Sequence, residues 1–365
     1  MNQARTLAGV NLPGMNVMLR PPGNGNISAS TGSSPQAVRL HQRMYGTSDS
    51  AEIRRSWVKN LRESASAPAY LLGVPSDTGA GATRGSTLGP IGVREAFYAS
   101  PQTSGSHFAD AGDVFCIPHL LHDSMLIPEL MASCRKEIYG DANTDLPVSP
   151  LSIAELVAEQ LTSGPQPPAL VGIGGDHSVS AALVLCHLRR YPKTLGILHL
   201  DAHNDLSSAR FGVPITYSSW LLHLERQQSL AALAQIGLEH AVGCPDLGSR
   251  LLQFRNTDCS DVGTVARQIT RWFEGLGIRQ LYISVDVDVT AVESAPATGT
   301  PARDGLSPDT VCELISSIAP RFQLVGADVV EVAPSLAADP DWPNEVTCQT
   351  AASYLNAILQ SMPGN

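Results

Sequence analysis

Three short apolar runs in this chain each end in side chains that bind cations, and this repetition constrains the fold more than any other feature. Leu195-Gly196-Ile197-Leu198 leads into His199-Leu200-Asp201-Ala202-His203-Asn204-Asp205. Leu281-Tyr282-Ile283 leads into Ser284-Val285-Asp286-Val287-Asp288, and Ala169-Leu170-Val171 leads into Gly172-Ile173-Gly174-Gly175-Asp176-His177-Ser178. A strand turns every second side chain to one face, so Asp201, His203 and Asp205 are expected to converge, as are Asp286 and Asp288. Four carboxylates and two imidazoles brought together need a counter-charge. Divalent metal suits that donor set, and two ions explain six ligands better than one closed tetrahedral site.

Apolar strands separated by helices imply a parallel sheet covered on both faces, with ligands gathering beyond the C-terminal strand edge. The patterns predict strands over 70–74, 111–117, 169–173, 195–200, 281–287 and 322–330. They predict helices over 50–63, 90–98, 151–163, 180–190, near 218–234, and over 261–275, 307–318 and 346–361. The fold class expected is a three-layer α/β/α domain over 67–365, preceded by an N-terminal extension, 1–66, with one short helix. Residues 1–48 are rich in Gly, Pro, Ser and Asn and carry no core of their own; disorder and wrapping over a neighbouring subunit are both open.

With 365 residues, 43% of them hydrophobic, the chain can bury a full core. A net charge of −10 argues against a nucleic-acid partner, which selects a basic face. The 7 cysteines are scattered and never form a Cys-x-x-Cys pair, which points to reduced thiols. No secretory pattern opens the chain and no apolar run reaches membrane length, so a soluble cytoplasmic protein with no membrane partner is expected. Each motif alone is ambiguous. The Gly172–Ser178 loop could pass for a phosphate cradle, but it lacks Gly-x-Gly-x-x-Gly and no Lys-Ser/Thr follows.

Taken together, Gly174-Gly175-Asp176-His177-Ser178, Asp201-Ala202-His203-Asn204-Asp205 and Ser284-Val285-Asp286-Val287-Asp288 resemble the three signatures of the ureohydrolase (arginase/agmatinase) family. Gly89-Pro90 with Arg94, Pro296–Pro301 and Asp328–Pro334 extend the similarity over roughly 67–361. The resemblance implies an arginase/deacetylase-like fold and two divalent ions per subunit, Mn(II) or Ni(II). His177, Asp201, Asp205 and Asp286 would hold one ion; Asp201, His203, Asp286 and Asp288 would hold the other. Asp205 would take part in proton transfer, and Glu331 would face the guanidinium of a small cationic substrate. The implied reaction is hydrolysis of a guanidino C–N bond to urea, or a urea derivative, plus amine or ammonia. A homo- or hetero-oligomer, trimer or hexamer, is implied as well.

One segment departs from that pattern. The family places a histidine about a dozen residues beyond Asp-x-His-x-Asp, yet none lies between His203 and His223. Tyr217 is the replacement by spacing, and Phe211 by the glycine that follows it. This break and the long extension resemble the guanidine and biguanide (metformin-type) hydrolase branch, which is associated with nickel. An agmatinase- or guanidinobutyrase-type enzyme is the alternative, and a weakly active or non-catalytic subunit of a hetero-oligomer is a further one.

Overall fold

In the computed structural model, which describes residues 14–26, 34–100, 108–338 and 345–362, the apolar runs are buried strands. These are β1 (Leu19–Arg20), β2 (Ala69–Val74), β3 (Ala109–Val114), β4 (Ala169–Gly174), β5 (Leu195–Leu200), β6 (Ala232–Leu238), β7 (Leu251–Arg255), β8 (Gln280–Asp286) and β9 (Gln323–Val330). The helices before β5 are α1 (Met15–Met18), α2 (Pro35–Tyr45), α3 (Ser50–Glu63), α4 (Gly89–Ala99), α5 (Pro128–Tyr139), α6 (Pro150–Leu161) and α7 (Val179–Arg190). After it come α8 (Trp220–Gln227), α9 (Val262–Gly275), α10 (Pro308–Ile318) and α11 (Val346–Gln360).

The strands form one sheet in the order β1-β3-β2-β4-β9-β8-β5-β6-β7. Every residue of β2, β4, β5 and β6 is buried, as expected of a sheet covered on both faces. Val93, Phe97, Ile269, Phe273, Leu314 and Leu355 bring α4, α9, α10 and α11 onto one face. Met18, Trp57, Val157, Leu183 and Trp220 bring α1, α3, α6, α7 and α8 onto the other. The result is the three-layer α/β/α arrangement.

Register then sets the site. Leu200 pairs with Val285, Asp286 with Val330, and Ile173 with Val329, so β5, β8, β9 and β4 end side by side. Their outgoing segments carry Asp201, Asp288, Glu331 and His177 to one sheet edge.

Three expectations need correction. The sheet is mixed, because β1 pairs antiparallel with β3 at Leu19↔Val114. The described part of the N-terminal segment holds α1, β1, α2 and α3 instead of one short helix, and it packs on the body of its own chain. Met15, Met18, Leu19 and Trp57 are buried there. Asp113 ties the segment down: its Oδ2 accepts from Gly23 N at 2.7 Å while Oδ1 pairs with the fully buried Arg94, which also grips Asp110. A buried guanidinium must be paired in this way, since leaving it alone costs several kcal/mol, roughly 3–5.

The third correction concerns 218–234, where helix stops at Gln227 and Ala232–Leu238 is a strand one in from the sheet edge. Its Ala- and Leu-rich sequence favours helix intrinsically, but burial on both faces erases the period-two signal and pairing with β5 and β7 decides. No helix among the described residues is long and apolar enough to cross a membrane.

Candidate metal centre

β5 ends at Leu200, so Asp201, His203 and Asp205 stand on the loop beyond it and not on a continuing pleat. Asp205 adopts a left-handed backbone, φ 52, which bends the loop back over the strand ends. Convergence therefore comes from a turned loop, where sequence alternation suggested a strand. Asp286 closes β8, and its Oδ1 accepts from Asp288 N at 2.9 Å, starting the single turn Val287–Val289 that aims Asp288 inward. His177 lies three residues past β4.

The six residues meet. His177 Nδ1 is 3.1 Å from carboxylate oxygens of Asp201, Asp205 and Asp286 alike. His203 Nδ1 is 3.0 Å from Asp288 Oδ2 and 3.4 Å from Asp201 Oδ1. One imidazole N–H cannot serve three carboxylates, whereas ligand atoms about 3 Å apart match the edge of an octahedron with bonds near ~2.1 Å. Asp201 Oδ2 is buried with no hydrogen bond, although His199 Nε2 stands 3.0 Å away.

Electrostatics point the same way. Burial, then the neighbouring Asp288 and Asp201 charges, pushes Asp286 well above the usual carboxylate range, and burial with Asp201 raises Asp288. Such a donor set fits divalent cations, and two overlapping groups, His177-His199-Asp201-Asp205 and Asp201-His203-Asp288, place their ligand atoms close enough to hold one.

A cavity of about 90 Å³ opens on this cluster, lined by Asp205, Asp286, Asp288, His203, Thr300, Tyr217 and Glu331 among others. Thr300 Oγ1 donates to Asp288 Oδ2 at 2.9 Å. Glu331 has φ 63, and its Oε1 accepts from His177 N at 2.9 Å. Burial, then the Asp176 carboxylate, pushes Glu331 well above its ordinary value. Tyr217 lines the cavity and its hydroxyl accepts from Arg210 Nη2 at 2.7 Å. Phe211, the other candidate for the missing histidine, does not. It sits at φ 50 on the Arg210–Val213 turn with a fully exposed ring.

Several supporting residues have no role assigned by the sequence motifs. His177 Nε2 is 3.0 Å from Ser284 Oγ, which donates to Asp328 Oδ1 at 2.7 Å, and Tyr282 OH donates to Asp328 Oδ2 at 2.6 Å. His199 Nδ1 lies 3.0 Å from the Gln235 amide. Trp220 Nε1 donates to Asp205 Oδ2 at 2.8 Å. His199 carried a usable signal, because it continues the alternation of 201, 203 and 205 one step upstream. The others become neighbours only through the sheet order.

Set beside known proteins, this arrangement has a clear place. The arginase family profile matches residues 67–360. The chain belongs to the arginase family, whose members are metal-dependent amidinohydrolases. It is 27% identical to an agmatinase of Bacillus anthracis over 300 residues, 78% of this chain and 90% of that protein. It is 34% identical to proclavaminate amidinohydrolase of Streptomyces clavuligerus over 175 residues, 46% of this chain and 54% of that one. The solved structure of that amidinohydrolase superposes with TM-score 0.65 at 24% identity, covering 81% of this chain and 91% of the other.

Proposed function

We propose that the chain hydrolyses a C–N bond of a guanidino compound, releasing urea or a urea derivative and an amine, and that the reaction is of the agmatinase type. The observation that carries this reading is the meeting of His177, His203 and four aspartates beneath a cavity that Glu331 also lines. The agmatinase and amidinohydrolase relatives support it. His177, Asp201, Asp205 and Asp286 would hold one divalent ion, and Asp201, His203, Asp286 and Asp288 the other. Arginase-family centres are binuclear and typically manganese; nickel is the second candidate. What such a pair supplies when bound is a water pKa lowered towards neutrality.

The chain's own groups do the rest. Glu331 keeps Oε1 on the His177 amide, leaving Oε2 for the substrate cation, whose charge would offset the burial that raises this carboxyl. Asp205 accepts the proton of the attacking water and returns it to the leaving nitrogen. Water adds to the guanidinium carbon, the C–N bond breaks, and urea and a protonated amine leave. Tyr217 lines the cavity and would orient the substrate through its hydroxyl, which Arg210 holds in place by donating to the oxygen.

A second reading has its own support. No histidine lies between His203 and His223, and Tyr217 lines the cavity instead, the departure that resembles the guanidine and biguanide hydrolase branch. Assay of urea and amine release by the purified chain, loaded separately with Mn(II) and Ni(II), decides. Agmatine or 4-guanidinobutyrate turnover supports the first reading; guanidine, methylguanidine or metformin turnover supports the second. Silence on every substrate with two ions bound per chain would instead indicate a partner-dependent subunit. The trimeric or hexameric assembly proposed for the chain is read from its mass in solution.

A further inference from the structure

Trp220 opens α8 and is fully buried, one of the largest side chains the core encloses. Packing alone would account for an aromatic ring at this position but not for the direction of its indole N–H. Nε1 donates to Asp205 Oδ2 at 2.8 Å, and that same oxygen lies 3.1 Å from His177 Nδ1. The indole also lies against the His177 ring, with centroids 5.0 Å apart and planes 32° apart. One side chain thus touches two members of the cluster.

The backbone at Asp205 adds a separate observation. Its left-handed φ of 52 costs a non-glycine residue about 1 kcal/mol or more, and it persists where neighbours over-determine it. Among the described residues, no donor reaches Asp205 Oδ1, while Trp220 fixes Oδ2. We propose that Trp220 is a positioning residue for the metal centre: its N–H pins Asp205 Oδ2 on the His177 side and leaves Oδ1 as the oxygen that works in the cavity. Outer hydrogen bonds of this kind orient ligands and tune affinity.

This inference rests on the reading of the six residues as a divalent-metal centre, and the experiment separates the two. Wild-type chain and Trp220→Phe, which keeps an aromatic ring and loses the N–H, are titrated with Mn(II) against a competing chelator. Both are also loaded with Co(II) for visible absorption spectra. The expected result is a metal-free chain that still unfolds cooperatively, at a lower temperature because the smaller ring leaves a cavity, with Mn(II) affinity at one of the two sites weakened about 10- to 100-fold and shifted Co(II) bands. Unchanged affinity and spectrum would reduce Trp220 to a core filler. Should W220F fail to fold, benzothienylalanine at position 220 replaces the N–H by sulfur in nearly the same shape. The same loss of affinity is then expected, and wild-type binding overturns the role. A wild-type chain that takes up neither Mn(II) nor Co(II) removes the metal-centre reading and this inference with it.

Discussion

The floor and the rim of the cavity are built on opposite terms. The floor stands on the ends of β4, β5 and β8, with His177, Asp201, Asp286 and Asp288 buried and each held by several partners. The rim at 207–217 is a surface turn on which Arg210 and Phe211 are exposed and Tyr217 is half-buried. The floor is over-determined, so a single change there disturbs a network. The rim exposes Ser208–Pro214 to solvent, and an exposed loop of this kind is where preference is free to vary.

Breaking the floor should have the largest effect. Asp201→Ala or Asp286→Ala removes a group central to the cluster and leaves buried neighbours uncompensated. Urea release is expected to fall by more than about 1,000-fold, with metal content per chain dropping in elemental analysis. Full activity with two ions retained would refute the assignment. Glu331→Gln keeps shape and removes the charge proposed to face the substrate. Loss of one member of a buried charge pair costs roughly 2–4 kcal/mol, so kcat/KM should fall about 30- to 1,000-fold with metal content unchanged.

Metal removal should make the floor pH-sensitive in a defined direction. Asp286, Asp288 and Glu331 are raised by burial and by like charges nearby, and burial raises Asp176 to about 6. His203 is raised to about 12 by its hydrogen bonds to Asp201 and Asp288. In every case the folded chain holds protons more tightly than the unfolded one. Stability is therefore greatest below the unfolded values and falls as pH rises through the folded ones. Asp201 is the exception, held low by the neighbouring histidines against the cost of burial, and it acts only below 3.8. The unfolding temperature of chelator-treated protein should thus drop by several degrees between about pH 5 and 8. Metal-loaded protein should change much less, because the cations offset the same repulsion.

The same contrast explains what the sequence made legible. Residues of the floor are close in sequence to strand ends, so short motifs expose Asp201, His203, Asp205, Asp286, Asp288 and His177. The mixed sheet edge, β6 and β7 were not legible. Ala232–Leu238 has the composition of a helix, and β1 has two residues whose role depends on β3, far along the chain. The roles of Trp220 and Asp328 have no local signal, because their hydrogen bonds with Asp205 and Ser284 join separate segments. At the rim, Tyr217 and Phe211 could not be ranked from spacing. Backbone direction decided between them, since the left-handed turn at Phe211 throws its ring outward.

Small effects are expected from the rim. Tyr217→Phe removes a hydroxyl that lines the cavity and accepts from Arg210, at a cost of about 1 kcal/mol, or roughly a fivefold rise in KM. Phe211→His is the sharpest test of the difference between the two regions, because it restores the residue type that the family resemblance led one to expect. An imidazole on this turn would project into solvent as the phenyl ring does, outside the cavity that Asp205 and Glu331 line. Turnover by F211H should match wild type within about twofold, and stability should stay within about 0.5 kcal/mol, as for surface substitutions generally. A large gain in kcat would mean that the turn folds over the cavity during the reaction, and the rim would then belong to the catalytic machinery as much as the floor does.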